Sequence, residues 1–74
     1  MPPLADVPIG GKCRVVSVEG VDPIAQRLME MGLVHGTELQ VVKLAPLGDP
    51  MQITVLGYQL TLRKTEAARV KVAR

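Results

Sequence analysis

The 74-residue chain has no tryptophan, no phenylalanine and one tyrosine, Tyr58. So few aromatics argue against a base-stacking nucleic-acid platform and against an aromatic-lined proline-peptide groove. Cys13 is the only cysteine, so no internal disulfide can form, and a reducing, cytosolic setting is expected. His35 is the only histidine. With Cys13, Glu30 and Asp49 it makes no Cys-x-x-Cys, His-x-x-x-His or Glu-x-x-His spacing, so no metal site and no cofactor are expected. No base is placed to activate a Cys13 thiolate, which points away from an enzyme. The start, Met1-Pro2-Pro3-Leu4, lacks the basic and apolar regions of a signal peptide. The apolar runs are a few residues long, far short of the ~20 that span a bilayer.

What the chain does have is aliphatic. Hydrophobic residues make up 47% of it, so the core must be built from Val, Leu, Ile and Met. One small domain over residues 1–74 is expected, burying roughly 60–65% of its unfolded surface. This apolar content is met either by ordinary scattered surface Leu and Val or by an exposed contact surface. The net charge of +2 is mildly basic. Arg63, Lys64, Arg69, Lys71 and Arg74 concentrate late and suit a solvated face. A small basic nucleic-acid-binding barrel is the alternative of another class. Steep salt dependence would distinguish it from apolar docking.

Turn residues divide the chain into short segments. Cys13 to Val18 is β-branched, bounded by Gly11 and Gly20, and reads as the first strand. Asp22 is a helix N-cap and Pro23 suits the first helical position. Ile24, Leu28 and Met31 recur at helical spacing as the expected buried stripe. Gly32 is placed for the left-handed stop, with Leu33 folding back on Leu28. Strands are expected over Glu38 to Leu44, Met51 to Leu56 and Gln59 to Arg63, with Gly57-Tyr58 as a type II′ hairpin turn. A helical turn, Thr65 to Ala68 capped by Thr65, precedes a last strand through Val70 and Val72. Five short strands, one short helix and one extra turn favour an all-β, SH3-like small barrel.

Two places are candidates for partner contact. Arg27 and Glu30, three apart on the polar side of the helix, either pair with each other or meet a partner. Met29 lies off the apolar stripe and suits an adaptable interface. The loop Pro46 to Pro50 is stiffened by two prolines, with Gly48 free to take positive φ and Asp49 able to bond a backbone amide. It would present Leu47 at little ordering cost. Turn geometry alone explains the loop equally well. The candidate partner-binding set is therefore Arg27, Met29, Glu30, Leu47, Gly48, Asp49 and Pro50. Exposed strand edges of small barrels also allow self-association.

Three blocks occur in order: Arg27-Leu28-x-x-Met31-Gly32-Leu33-x-x-Gly36, then Ala45-Pro46-Leu47-Gly48-Asp49-Pro50, then Gly57-Tyr58-x-Leu60-x-Leu62-Arg63-Lys64-x-Glu66-Ala67. Together they resemble the FeoA family of small bacterial ferrous iron transport accessory proteins, from about Leu4 to Val72. The resemblance implies an SH3-like barrel with an inserted helix, working in the cytoplasm at the inner face of the membrane. It implies a partner, the ferrous iron permease FeoB, contacted on its cytosolic GTP-binding region. Neither nucleic acid nor direct membrane insertion is implied, and the family is not an established iron binder. A direct iron-binding chaperone would depend on His35 and Cys13, and replacing both should abolish it. Similar domains end the metal-dependent repressors resembling diphtheria toxin repressor. The winged-helix region of those repressors is not present here, so a stand-alone accessory protein is expected.

Overall fold

Alternating aliphatic residues form five strands: β1 (Lys12–Val18), β2 (Glu38–Leu44), β3 (Met51–Val55), β4 (Tyr58–Leu62) and β5 (Val70–Ala73). Helix α1 (Pro23–Glu30) lies between β1 and β2, and the short α2 (Lys64–Ala67) between β4 and β5. The computed structural model describes residues 1–74. The strands make one sheet in the order β4-β3-β2-β1-β5, with every neighbouring pair antiparallel. Irregularities between Val15 and Ser17 in β1 and between Val41 and Lys43 in β2 break the ladders locally. Such bulges bend a strand and raise its twist, so this sheet coils into a small, partly open barrel around one apolar interior.

The interior is aliphatic throughout. Val15, Val41, Ile53, Val55, Leu62, Val70 and Val72 are at most 1% exposed, and no polar or charged side chain is buried. Leu28 of α1 and Leu33 just after it join this cluster, as do Leu4 and Val7 of the N-terminal segment. The helix stripe differs from expectation. Ala25 and Leu28 are buried, Met31 is partly buried, and Ile24 is 41% exposed. The spacing Ile24–Leu28–Met31 defines one side of the helix. The buried line runs on its other margin, because an eight-residue helix beside a curled sheet inserts only a narrow face.

The β3–β4 turn also shifts by one residue. Val55 pairs with Tyr58, so the turn residues are Leu56 and Gly57, with φ of 52° and 82°. Two positive φ values make it type I′, whose twist matches that of the flanking strands. Tyr58 thus begins β4 instead of ending the turn. At the other hairpin end, α2 is capped two residues earlier than expected. Its N-cap is Arg63, not Thr65, and the Arg63 N–H donates to Glu66 Oε1 at 2.9 Å.

The two sheet edges are treated differently. The β5 edge is covered by the N-terminal segment: the Val72 N–H donates to the Pro2 carbonyl at 3.0 Å, and Pro3 bridges to Lys71. No segment pairs with the outer edge of β4.

Candidate partner-binding surface

Both ends of α1 are fixed by short-range chemistry. Asp22 Oδ1 accepts the Ala25 N–H at 3.1 Å, the expected N-cap bond. The same oxygen accepts from Arg69 Nη1 at 2.5 Å, tying the helix start to the segment entering β5. The Arg69 guanidinium, and then the Ala25 N–H, hold the Asp22 carboxyl below its ordinary value. A carboxylate with a lowered folded-state pKa adds stability above its unfolded value and loses it as pH falls through the folded one. The wild type should therefore lose stability on acidification below about pH 4. The Asp22→Asn variant should be less stable at neutral pH, with a flatter stability profile across that acid range. Urea unfolding at several pH values checks this, and parallel profiles would refute it.

At the other end Gly32 has a φ of 103°. Its N–H donates to Met29 O at 3.0 Å and the Leu33 N–H to Leu28 O at 3.2 Å, the paired bonds of a Schellman stop. The Tyr58 hydroxyl donates to the Met31 carbonyl, which the helix itself leaves unpaired. Leu56 lies across Gly32. This end of α1 is therefore pinned to the β3–β4 turn.

The opposite end of β4 faces the helix across a groove of 610 Å³. Ile24 and Arg27 of α1 form one side, and Thr61, Arg63 and Pro50 the other, with Thr65 and Glu66 of α2 at its end. Arg27 is ion-paired with Glu66, 39 residues away in sequence. The pairing left open for Arg27 is thus made with α2, not with Glu30, which forms no ion pair. Arg63 likewise has no carboxylate partner.

The loop candidates divide. Pro50 lines the groove, and its peptide bond with Asp49 is cis. The Asp49 carboxylate accepts the Lys64 N–H at 3.0 Å, so it caps α2 from a different segment. Gly48 has a φ of 82°, and Leu47 projects from the loop with 95% of its surface exposed. Met29 is 41% exposed and does not line the groove. At ~100° per residue it lies roughly 140° around α1 from Ile24, on the opposite margin of the buried line. Glu30 is exposed at the last turn. Thus Arg27 and Pro50 share one groove, Asp49 braces it, and Met29 and Leu47 are separate apolar projections.

Sequence reasoning missed Ile24, Thr61, Arg63, Thr65 and Glu66 as surface partners of Arg27. Strand alternation did place Thr61 on the outward face, away from Leu60 and Leu62. No local pattern carries the contact between α1 and α2.

The remaining polar groups are dispersed. No three of the His, Cys, Asp and Glu side chains gather in a metal-binding group. Cys13 is buried, and desolvation pushes its thiol up despite nearby Arg74. His35 Nδ1 lies 3.0 Å from the Val16 carbonyl, so Nδ1 carries the proton. Among the late basic residues, Arg69 pairs with Asp22 and Lys71 with Glu19 at 3.5 Å, which breaks up a continuous basic face. No helix is long and apolar enough to cross a membrane.

Comparison with known proteins agrees with this architecture. A curated fusion of Fe(2+) transport protein A with the Fe(2+) transporter FeoB, from Porphyromonas gingivalis, is 38% identical over 69 residues. That match takes in 93% of this chain, which spans only 8% of the fusion protein's length. The FeoA-like protein of Clostridium acetobutylicum has a TM-score of 0.90 at 36% identity, covering 97% of this chain and 84% of that one. The zinc-complexed FeoA of Stenotrophomonas maltophilia has a TM-score of 0.87 at 35% identity, covering 99% and 91%. It is described as a prokaryotic SH3 domain protein proposed to activate bacterial ferrous iron transport. With a capped helix inserted in a five-stranded barrel, and the FeoA domain model matching residues 3–74, the chain belongs to the FeoA family.

Proposed function

We propose that this protein is an accessory regulator of bacterial ferrous iron uptake, docking on the cytosolic region of a FeoB permease at the inner face of the membrane. The observation that carries this is the Porphyromonas gingivalis relative, in which an FeoA-like segment and FeoB are one polypeptide. Fusing two modules turns their contact into an intramolecular one, at roughly millimolar effective concentration for short linkers. The contact itself needs a surface on the FeoA-like domain. The candidate features are the exposed Leu47 and Met29 and the groove between Arg27 and Pro50. The role is that of a binding module, in keeping with the Stenotrophomonas maltophilia relative described as a proposed activating factor of ferrous iron transport. Docking acts on the permease by preferring one of two states, which biases its assembly, gating or nucleotide cycle.

A binding titration against the soluble cytosolic domain of the same organism's permease, with and without guanine nucleotide, tests this. Saturable binding that changes with nucleotide is expected. The Met29→Asp, Leu47→Asp double variant should bind at least ~10-fold more weakly, since it puts two charges into the contact. A folded double variant that binds and supports iron uptake like the wild type would rule out these residues. Absence of binding in every nucleotide state would remove the cytosolic domain as the partner.

A further inference from the structure

We infer that the free edge of β4 accepts an extended, acidic segment of a partner protein as a sixth strand, laid in the groove between β4 and α1. A two-residue hairpin closes on a pair that exchanges both ladder bonds, here Val55 with Tyr58. The register is unbroken from there to Met51 and Leu62. Tyr58, Leu60 and Leu62 therefore turn their N–H and C=O groups toward β3, and Gln59 and Thr61 turn theirs outward. None of the backbone bonds outside the regular elements involves residues 58 to 62. These outward groups are a strand template, and Thr61 is itself on the groove wall.

The strand itself lacks the sequence protections of an edge. Tyr58-Gln59-Leu60-Thr61-Leu62 contains no charge and no proline, whereas the β5 edge is closed by Pro2 and Pro3. An edge kept open beside a helix is the geometry of strand addition, in which backbone pairing supplies affinity and side chains supply selectivity. The charges choose the occupant. Glu66 pairs with Arg27 within the groove, whereas Arg63, which lines it with the hydroxyl donors Thr61 and Thr65, has no carboxylate within ion-pair distance. An incoming carboxylate meets that cation and those donors, whereas an incoming lysine meets like charge. This mode of recognition does not depend on which protein supplies the segment.

Amide hydrogen exchange of the full, isotope-labelled chain tests it. The probes are a capped Thr-Asp-Val-Asp-Val-Asp-Thr peptide and its counterpart with Lys for Asp, each at millimolar concentration. The acidic peptide should slow exchange at Gln59 and Thr61 at least about tenfold, leaving the already paired Tyr58, Leu60 and Leu62 unchanged. Thr61→Pro removes an outward N–H without touching the β3–β4 ladder and should abolish the protection. Arg63→Glu keeps the edge intact and should transfer the preference to the lysine peptide. No protection with either peptide, or equal protection with both, would overturn the inference. Permease binding that leaves Gln59 and Thr61 unprotected, with no protection by the acidic peptide either, would overturn it while docking stands. Peptide protection without permease binding would support strand addition and remove only the proposed partner.

Discussion

Leu28→Ala is expected to destabilise the protein by about 2–5 kcal/mol, the usual cost of truncating a large buried aliphatic side chain. The effect is large here because α1 has so little else in the core. Ala25 and Leu28 are its only buried residues, and both are fully buried. A domain of this size has a total stability of roughly 4–11 kcal/mol, so the loss is a major fraction of it. The vacated space is hard to fill. Ala25 has no reach, and Leu33 is already held by its bond to the Leu28 carbonyl. With α1 loosened, one wall of the groove and the Arg27–Glu66 pair go with it, so partner binding should fall together with stability. Urea unfolding measures the first and titration the second. A loss below ~1 kcal/mol would mean that the barrel closes without the helix.

Gly32→Ala ranks second, at about 1–2 kcal/mol for an L-residue forced into the left-handed region. Two costs meet at this position. The φ of 103° belongs to glycine, and a Cβ placed there would lie 2.5 Å from Leu56 Cδ1. That carbon ends a flexible side chain which is 67% exposed, so it can swing away cheaply. The backbone term therefore dominates. The variant should unfold at lower urea concentration with an unchanged slope, and Leu56→Ala in the same background should recover little. Substantial recovery would show that steric crowding, and not the Schellman conformation, is what Gly32 serves.

How far the site was legible follows the range of the interactions that make it. Asp22, Pro23, Gly32 and Leu33 mark the helix ends through bonds spanning a few residues, so their roles can be read from order alone. The strands behave the same way, because alternation decides which residues turn inward wherever they pair. The helix stripe was misjudged by one position. Periodicity gives the spacing of a buried face but not which margin of a short helix meets the sheet. The β3–β4 turn was misplaced by one residue, since Leu is an unusual occupant of positive φ and its packing over Gly32 is not visible in the turn itself.

The groove was the least legible part. Asp49 is suited to bonding a backbone amide, but its acceptor role at Lys64 spans 15 residues and two elements. Arg27 was open to Glu30 on the same helix, yet it pairs with Glu66 across a separation of 39. An aliphatic core, the ends of α1, five alternating strands and the family blocks are all encoded in local spacing and residue type, so residue order is enough to read them. The groove between α1 and β4, and the pairing of Arg27 but not Arg63 with a carboxylate, arise from the packing of distant segments. Those outcomes depend on strand order and sheet curvature, which bring distant residues together through the packing of the whole barrel.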